Sequence, residues 1–208
     1  MDIAIFTIVV LIFSIILHEV AHGYAAQSLG DPTAKLAGRL TLNPVSHIDP
    51  IGSILIPAVL VFTNAGIMFG WAKPVPYNPY NLKNQRWGES IVAVAGVATN
   101  LTIAVVFALI ARAAATQGMT EFASLAAVVT LVNLSLGLFN LIPIPPIDGY
   151  TVLRGILPYK ASMAMVRFEE KMRAGGIFTL IIVLILITQF FSAPFFVLVR
   201  YCYRFLIG

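Results

Sequence analysis

Charge and cysteine are both scarce in this sequence. Only 11% of its 208 residues are Asp, Glu, Lys or Arg, whereas about a quarter of the residues in an ordinary soluble domain are charged. Together with a mean hydropathy of +0.92, this excludes a water-soluble globular domain. The single cysteine, Cys202, excludes a disulfide within the sequence and a cysteine-based metal site.

Long uncharged runs take the place of the missing charge. The first begins at Ile3 and ends at Leu17. Four more are each near or above the roughly 20 residues that cross a bilayer, and they cover residues 50–72, 90–111, 122–147 and 174–199. The sequence therefore predicts a multi-pass protein of the lipid bilayer, with a single membrane-embedded domain over residues 1–208. The net charge of +4 is interpreted as loop charge that orients membrane helices, and no nucleic-acid partner is expected.

The basic residues predict the topology. Ten of the thirteen Lys and Arg residues lie in residues 30–49, 73–90 and 154–173, and basic segments favour the cytoplasmic side. The first two can share a side only if the apolar stretch Ile51–Phe62 enters the membrane and returns, since as a helix it rises only about 18 Å. We expect an all-α fold of about four spanning helices, with a re-entrant helix or β element between the first two. The predicted spans are residues 3–28, 90–115, 124–142 and 176–199.

The most informative residues interrupt the first apolar run. His18 and His22 are four residues apart, so they share one face of a helix, and Glu19 lies between them. Ionisable side chains inside a membrane helix are expensive and usually functional. Two imidazoles at this spacing can hold a Zn²⁺ ion, and the glutamate can act as general base toward the attacking water. The alternative is a structural role, with both histidines hydrogen-bonded between helices.

A catalytic zinc needs a third protein ligand and an open position. The candidates are Asp148, His47, Asp49 and the asparagines within the helices. Prolines break the chain just before Asp148, and Gly149 lets the backbone turn beside it. His18 lies about 23 Å along the first helix, and Asp148 follows the cytoplasmic end of the third predicted helix. The two can meet, so we expect Asp148 to be the third ligand.

Three motifs taken together resemble a known family. They are HEVAH at residues 18–22, GVATN at residues 96–100 and NLIPIPPIDG at residues 140–149, in this order on successive predicted membrane helices. The sequence is in this respect similar to the site-2 protease family of intramembrane zinc metalloproteases, over roughly residues 3–150. Neither a PDZ-type nor a CBS-type regulatory domain fits in the sequence, so it resembles a minimal form of that family.

The resemblance implies a role for each motif. It makes His18, His22 and Asp148 the ligands of one zinc ion per chain and Glu19 the catalytic base. It also makes the asparagines of the second and third motifs, Asn100 and Asn140, substrate-binding residues. The second motif departs from the family, because Val97 stands where a proline is common. The alternative for that motif is close helix packing with a polar contact.

The resemblance also implies β structure between the first two core helices, where a substrate would be added as a strand. The candidate segments are Thr41–Pro44 and Phe69–Val75, and the alternative is that they are loops packed on the bundle. His47 and Asp49 either orient a metal ligand from the second shell or cap the re-entrant helix.

The function expected from these observations is intramembrane proteolysis. The substrate would be a single-span membrane protein or peptide, and the site would face the cytoplasm of a bacterial or archaeal cell membrane. Two other functions use the same residues. One is a zinc or proton transporter, which would more often show paired repeats and broken helices. The other is an inactive scaffold, for which Glu19 would be unnecessary.

Overall fold

The computed structural model describes residues 2–62 and 71–208. Its α-helices are α1 (Ile3–Ser28), α2 (Thr33–Leu36), α3 (Ile56–Phe62), α4 (Gly88–Thr116), α5 (Thr120–Phe139), α6 (Asp148–Ile156), α7 (Tyr159–Ala174), α8 (Gly176–Leu186) and α9 (Ser192–Ile207). Short 3₁₀ turns lie at Pro44–His47 and Pro79–Asn81, and π-helical turns at Pro50–Leu55 and Ile187–Phe191. These ranges contain no β-strand, so the all-α class is confirmed.

Local sequence signals set both ends of α1. The Asp2 side chain accepts a hydrogen bond from Ala4 N–H at 2.9 Å and caps the first turn. At the other end Gly30 has a φ of +107°, in the left-handed region that glycine reaches without strain. The next N–H, of Asp31, donates to the Ala26 carbonyl at 2.9 Å. Between these caps the 26 residues of α1 extend about 39 Å, enough to cross a bilayer.

Helix α4 is the centre of the bundle and packs against α1, α5 and α6. Its buried face consists mainly of small residues, among them Ala93, Gly96, Ala104, Ala108, Ala111 and Ala114. Such residues let helix backbones approach closely, which is what holds helices together in lipid. On α5, Gly137 has the same role, because a Cβ there would lie 2.7 Å from Leu101 Cδ2.

Four helices in the described part of the chain are long and apolar enough to cross a membrane. They are Ile3–Ser28, Gly88–Thr116, Thr120–Phe139 and Gln189–Ile207. The number and the first two positions agree with the sequence prediction. The third helix ends before the predicted residue 142, because Asn140 is its C-cap and Pro143 disfavours helical backbone in the residue before it.

Helical backbone covers the predicted last span, residues 176–199, and continues beyond it. This helical backbone runs from Gly176 through a π-helical turn to Ile207, and within it Gln189–Ile207 is long and apolar enough to cross a membrane. Pro194 follows the π-helical turn by three residues and does not end the helix, which continues to Ile207. The charged Arg200 and Arg204 are therefore exposed residues of α9.

The loop after α1 and the loop before α4 lie together at one end of the molecule. Lys83 N–H donates to the Leu29 carbonyl at 2.8 Å. The Asp31 carboxylate accepts from Asn78 N–H at 2.7 Å and from Asn81 Nδ2 at 2.8 Å. Burial alone would raise the pKa of Asp31, but the hydrogen bonds to its carboxylate outweigh burial and hold the pKa below its ordinary value. The two basic loops thus share one end, as their charge predicted.

The re-entrant element is described only in part. Pro50–Leu55 and α3 are helical, but residues 63–70 lie outside the described residues, so the return path stays a prediction. Of the β candidates, Thr41–Pro44 leads into a 3₁₀ turn, and residues 71–75 of the second are not assigned as strand. The substrate-receiving strand is therefore not seen in the described portions of either segment.

Residues 71–77 form a segment with proline at alternate positions. Pro74 and Pro76 are exposed and Val75 between them is buried. Proline disfavours helical backbone in the residue before it, so the segment stays extended. The N–H groups of Lys73 and Val75 both donate inward, to the His47 carbonyl at 2.9 Å and to a carboxylate of α1 at 2.8 Å.

We expect cysteines introduced as Lys35→Cys and Lys83→Cys to react from the same side of the membrane, and Gly118→Cys from the other side, because α4 crosses between residues 83 and 118. The measurement is labelling with a membrane-impermeant maleimide in sealed, oriented vesicles, in a Cys202→Ser background. Labelling of positions 35 and 83 from opposite sides would show that the stretch between the two loops spans the bilayer.

Candidate metal site

Three side chains converge inside the helix bundle. His18 and His22 of α1 and Asp148 at the start of α6 offer ligand atoms that all lie within 4.8 Å of one another. The two Nε2 atoms are 3.0 Å apart. Asp148 Oδ2 lies 3.0 Å from the Nε2 of His18 and 3.3 Å from that of His22. The three residues predicted to form the ligand set therefore meet, with both imidazoles buried.

The far side of each imidazole is fixed by a hydrogen bond. His22 Nδ1 lies 2.7 Å from the Val92 carbonyl oxygen, and His18 Nδ1 lies 2.7 Å from Asn100 Oδ1. A carbonyl oxygen can only accept a hydrogen bond, so each Nδ1 carries the proton and donates. Each Nε2 then presents a lone pair to the cluster.

This arrangement fits a zinc ion. Two nitrogen lone pairs and a carboxylate oxygen face one another, and Asp148 Oδ2 is buried without a hydrogen-bond donor among the described residues. Acceptors this close repel unless a cation lies between them. Zinc–nitrogen bonds of about 2.0–2.1 Å in a tetrahedron place two nitrogens about 3.3 Å apart, close to the observed spacing. A neutral imidazole pair with one carboxylate is also a common catalytic zinc set.

The backbone around Asp148 holds the carboxylate in place. Gly149 N–H donates to the Asn140 carbonyl at 2.7 Å, which draws the start of α6 against the end of α5. A Cβ at residue 149 would collide with the carbonyl oxygen of Leu141, so only glycine permits this approach. Farther along α6, the Thr151 carbonyl accepts from Ser90 Oγ at 3.0 Å. The ligand from α6 is thereby tied to both α5 and α4.

Gly96 of α4 forms the wall behind the two imidazoles. A Cβ at this position would lie 2.6 Å from His22 Nε2 and 2.7 Å from His18 Cε1, closer than real Cβ atoms approach. The sequence places Gly96 in the GVATN motif, for which close helix packing is the alternative, and does not predict its contact with the imidazoles. Its four-residue spacing from Asn100, on the same face of α4, was the available signal.

Glu19 lies beside the ligand set on α1. Its Oε2 accepts a hydrogen bond from Val75 N–H at 2.8 Å, a contact that the sequence did not suggest. Glu19 lines a cavity of about 600 Å³ together with the three ligands and Asn140. The carboxylate predicted to act as general base therefore faces the space beside the ligands.

The remaining predicted residues lie in different environments. Asn140 lines the cavity and donates through Nδ2 to the Leu136 carbonyl. Asn100 is fully buried and its amide bonds protein groups, so an assignment to the substrate stays a prediction. His47 Nε2 bonds the Thr41 carbonyl. Asp49 accepts from the N–H groups of residues 51 and 52. It therefore caps the start of the re-entrant helix, which was the alternative to orienting a metal ligand.

A charged cluster lines part of the cavity. Arg154 of α6 pairs with Glu89 of α4 at 2.5 Å and with Glu169 of α7 at 3.1 Å. Tyr77 lies nearby, and burial, followed by the charge of Glu89, raises its pKa to about 12. The phenol is therefore neutral at physiological pH, and the ion pairs join α4, α6 and α7.

We expect about one zinc ion per chain, falling to a small fraction of one in His22→Ala and Asp148→Ala, since each removes one of three protein ligands. Metal content of the purified protein, measured by mass spectrometry, tests this. His47→Ala is the control, because its ring nitrogen bonds a backbone carbonyl away from the cluster. Full zinc occupancy in Asp148→Ala would contradict the ligand set.

We also expect Gly96→Ala to weaken zinc binding, because the added methyl group would push both imidazoles out of position. Gly88→Ala, in the same helix, is the control: its added Cβ would lie 2.9 Å from Leu82 Cδ1, and its nearest neighbours are atoms of Leu82 and not of a histidine or Asn100. Both variants should lose thermal stability, while only Gly96→Ala should raise the zinc dissociation constant, by about tenfold or more. An equal zinc affinity in the two variants would contradict the role of Gly96.

Comparison with known proteins agrees with this site. The profile of peptidase family M50 matches residues 112–186, which include Asp148. YwhC of Bacillus subtilis, a protein named as a zinc metalloprotease, is 40% identical over 175 residues, covering 79% of this chain and 75% of that protein. Rip2 of Mycolicibacterium smegmatis, named likewise, is 31% identical over 194 residues, covering 93% of this chain and 71% of Rip2. No solved structure matches the chain.

The similarity to YwhC extends over most of both proteins, and the ligand set for zinc is assembled in the structure. The four membrane-crossing helices agree with the expected architecture. This chain belongs to peptidase family M50, the site-2 protease family of zinc metalloproteases.

Proposed function

We propose that this metalloprotease is an endopeptidase that cleaves membrane-spanning substrates, in the manner of regulated intramembrane proteolysis. The observation that carries the proposal is the place of the ligand set. His18, Glu19 and His22 lie within α1, a helix of spanning length, and His18 is about 23 Å from its first residue. A peptide bond can reach this site only at membrane depth, and a single-span protein or a membrane-embedded peptide brings one there.

Zinc, when bound, supplies Lewis acidity to the scissile carbonyl and to the attacking water. The transfer of the proton from the water to the leaving amine is carried out by a residue of the chain. Glu19 accepts a proton from the water and delivers it to the leaving amine, as a general base and then a general acid. Its carboxylate is held for this task by Val75 N–H. The two imidazoles hold their protons on Nδ1, away from the cluster, and Asp148 offers a carboxylate oxygen, so that all three can act as ligands.

The substrate must arrive in an extended form. A membrane helix satisfies its backbone hydrogen bonds internally, so it must unwind before any bond is attacked. The cavity of about 600 Å³ beside the ligands has room for a short extended stretch and not for a whole helix, whose diameter is about 10 Å. Asn140, a polar side chain of the cavity lining, is the residue that we assign to the substrate backbone.

The cytoplasm is the side that we assign to the loop end of the molecule. Lys35 and Lys83 lie in loops that contact each other, and Arg154 lies on α6, which packs against the start of α4. Ten of the thirteen Lys and Arg residues then lie on that side, which is the distribution of cytoplasmic loops. A bacterial cell membrane is the natural setting, because the relatives YwhC and Rip2 are bacterial.

We expect Glu19→Gln to lower the rate of cleavage of a reconstituted single-span substrate by at least about 10²-fold, the lower end of what general acid–base catalysis contributes. Glutamine keeps nearly the same volume but cannot accept the proton of the water. Zinc content and thermal stability should stay near those of the unchanged protein, because Glu19 is not a ligand. The fragments are resolved by mass spectrometry of the reaction.

The control for this experiment is His18→Ala, which should lose zinc and cleavage together. Rapid cleavage by zinc-loaded Glu19→Gln would rule out the proposed proton transfer. A transporter or a scaffold would show no cleavage in the unchanged protein, and its transport or binding would survive Glu19→Gln better than His18→Ala.

A further inference from the structure

A buried polar network lies behind His18, on the side away from the ligand cluster. It consists of Ser14 of α1, Asn100 of α4 and Asn133 of α5. The two asparagines have 0% exposure and Ser14 has 4%. Polar side chains this deep in a membrane bundle are costly unless each is fully hydrogen-bonded. The proposed catalytic steps make no use of Ser14 or Asn133.

Each hydrogen bond of this network has a defined donor and a defined acceptor. Asn133 Nδ2 donates to the Val129 carbonyl at 3.0 Å and to Ser14 Oγ at 2.9 Å. Its Oδ1 is then left to accept from Asn100 Nδ2 at 3.0 Å. Because a backbone carbonyl can only accept, the Val129 carbonyl fixes which end of the Asn133 amide donates. That choice fixes the orientation of the Asn100 amide in turn.

The Asn100 orientation decides where His18 carries its proton. With its Nδ2 engaged by Asn133 and by the Ser14 carbonyl at 3.3 Å, Asn100 turns its Oδ1 to His18 Nδ1. An amide turned the other way would present its NH₂ group to that nitrogen. His18 would then carry its proton on Nε2 and could not act as a ligand through that atom.

The two histidines differ in this respect. His22 Nδ1 donates to the backbone carbonyl of Val92, which no side-chain rotation can reverse. His18 depends on the Asn100 side-chain amide, whose orientation is held by Asn133 at 3.0 Å and, at a longer distance of 3.3 Å, by the Ser14 carbonyl. His22 can therefore serve as an internal reference, because a change in the network behind His18 should leave the tautomer of His22 unchanged.

We propose that Asn133 is a positioning residue for the metal: acting through Asn100, it holds His18 in the Nδ1-protonated form that offers Nε2 to zinc. The inference rests on the zinc site and is independent of the substrate. Hydrogen-bond partners behind a metal ligand typically change metal affinity by about 10–100-fold.

The first test compares zinc dissociation constants, measured in detergent by competition with a chromophoric chelator. Asn133→Leu should raise the constant by about 10–100-fold. The matched control is Thr130→Val, which removes an equally buried hydroxyl from the same helix; among the described residues this hydroxyl bonds the Ala126 carbonyl of its own helix. Its constant should change by less than about twofold. Equal constants in the two variants would overturn the proposal.

A double-mutant cycle separates positioning from general damage. If Asn133 acts through Asn100, adding Asn133→Leu to Asn100→Ala should change the zinc dissociation constant little further, whereas independent effects would multiply. Multiplying effects would overturn the pathway through Asn100.

The tautomer itself can be observed without any variant. The chain has three histidines, so the imidazole ¹⁵N signals of selectively labelled, metal-free protein can be resolved. At a pH where the rings are neutral, His18 should show a protonated Nδ1, and Asn133→Leu should shift His18 toward a mixture while His22 stays unchanged. An Nε2-protonated His18 in the unchanged protein would overturn the proposal even if Asn133→Leu fails to fold.

Discussion

Polar atoms that lie between α1, α4 and α5 must find their partners inside the protein, because the bilayer core offers no water to hydrogen-bond them. This constraint explains the pattern around the ligand set. The imidazole of His22 reaches a backbone carbonyl of α4, and that of His18 reaches Asn100. The same hydrogen bonds that satisfy the Nδ1 atoms leave the Nε2 atoms as acceptors. Stability of the bundle and competence to bind zinc thus come from one set of contacts.

Close packing is the second requirement, and it follows from the first. Hydrogen bonds between helices form only if the backbones approach, and the small residues of α4 allow this. Gly96 and Gly149 mark the two places where approach is closest to the ligands. One makes room for the imidazoles, and the other lets α6 deliver Asp148 to them. The site therefore requires glycine at these two positions as well as the three ligands, because a side chain at either position would occupy space that the site needs.

The sequence predicted the three residues that converge at the metal site, the membrane class and the bounds of the first two spanning helices, because each of these depends on local signals. The four-residue spacing of His18 and His22 needs only a helix, and hydropathy locates most spans. It did not predict the contacts of Val75 with Glu19 or of Asn133 with Asn100, which join residues 56 and 33 positions apart. Such contacts depend on the register between elements. The last helix also continues past residue 199, where the predicted span ends, with Arg200 and Arg204 at exposed positions.

The alternation of proline in residues 71–77 has a consequence for encounters between molecules. Successive residues of an extended chain point their N–H groups to opposite sides. Lys73 and Val75 donate inward, while Pro74 and Pro76 on the outward side have no N–H at all. That edge offers only carbonyl oxygens between residues 73 and 77. If two copies met at this edge they would face each other with acceptors only, so no ladder of N–H···O bonds could form between these two segments.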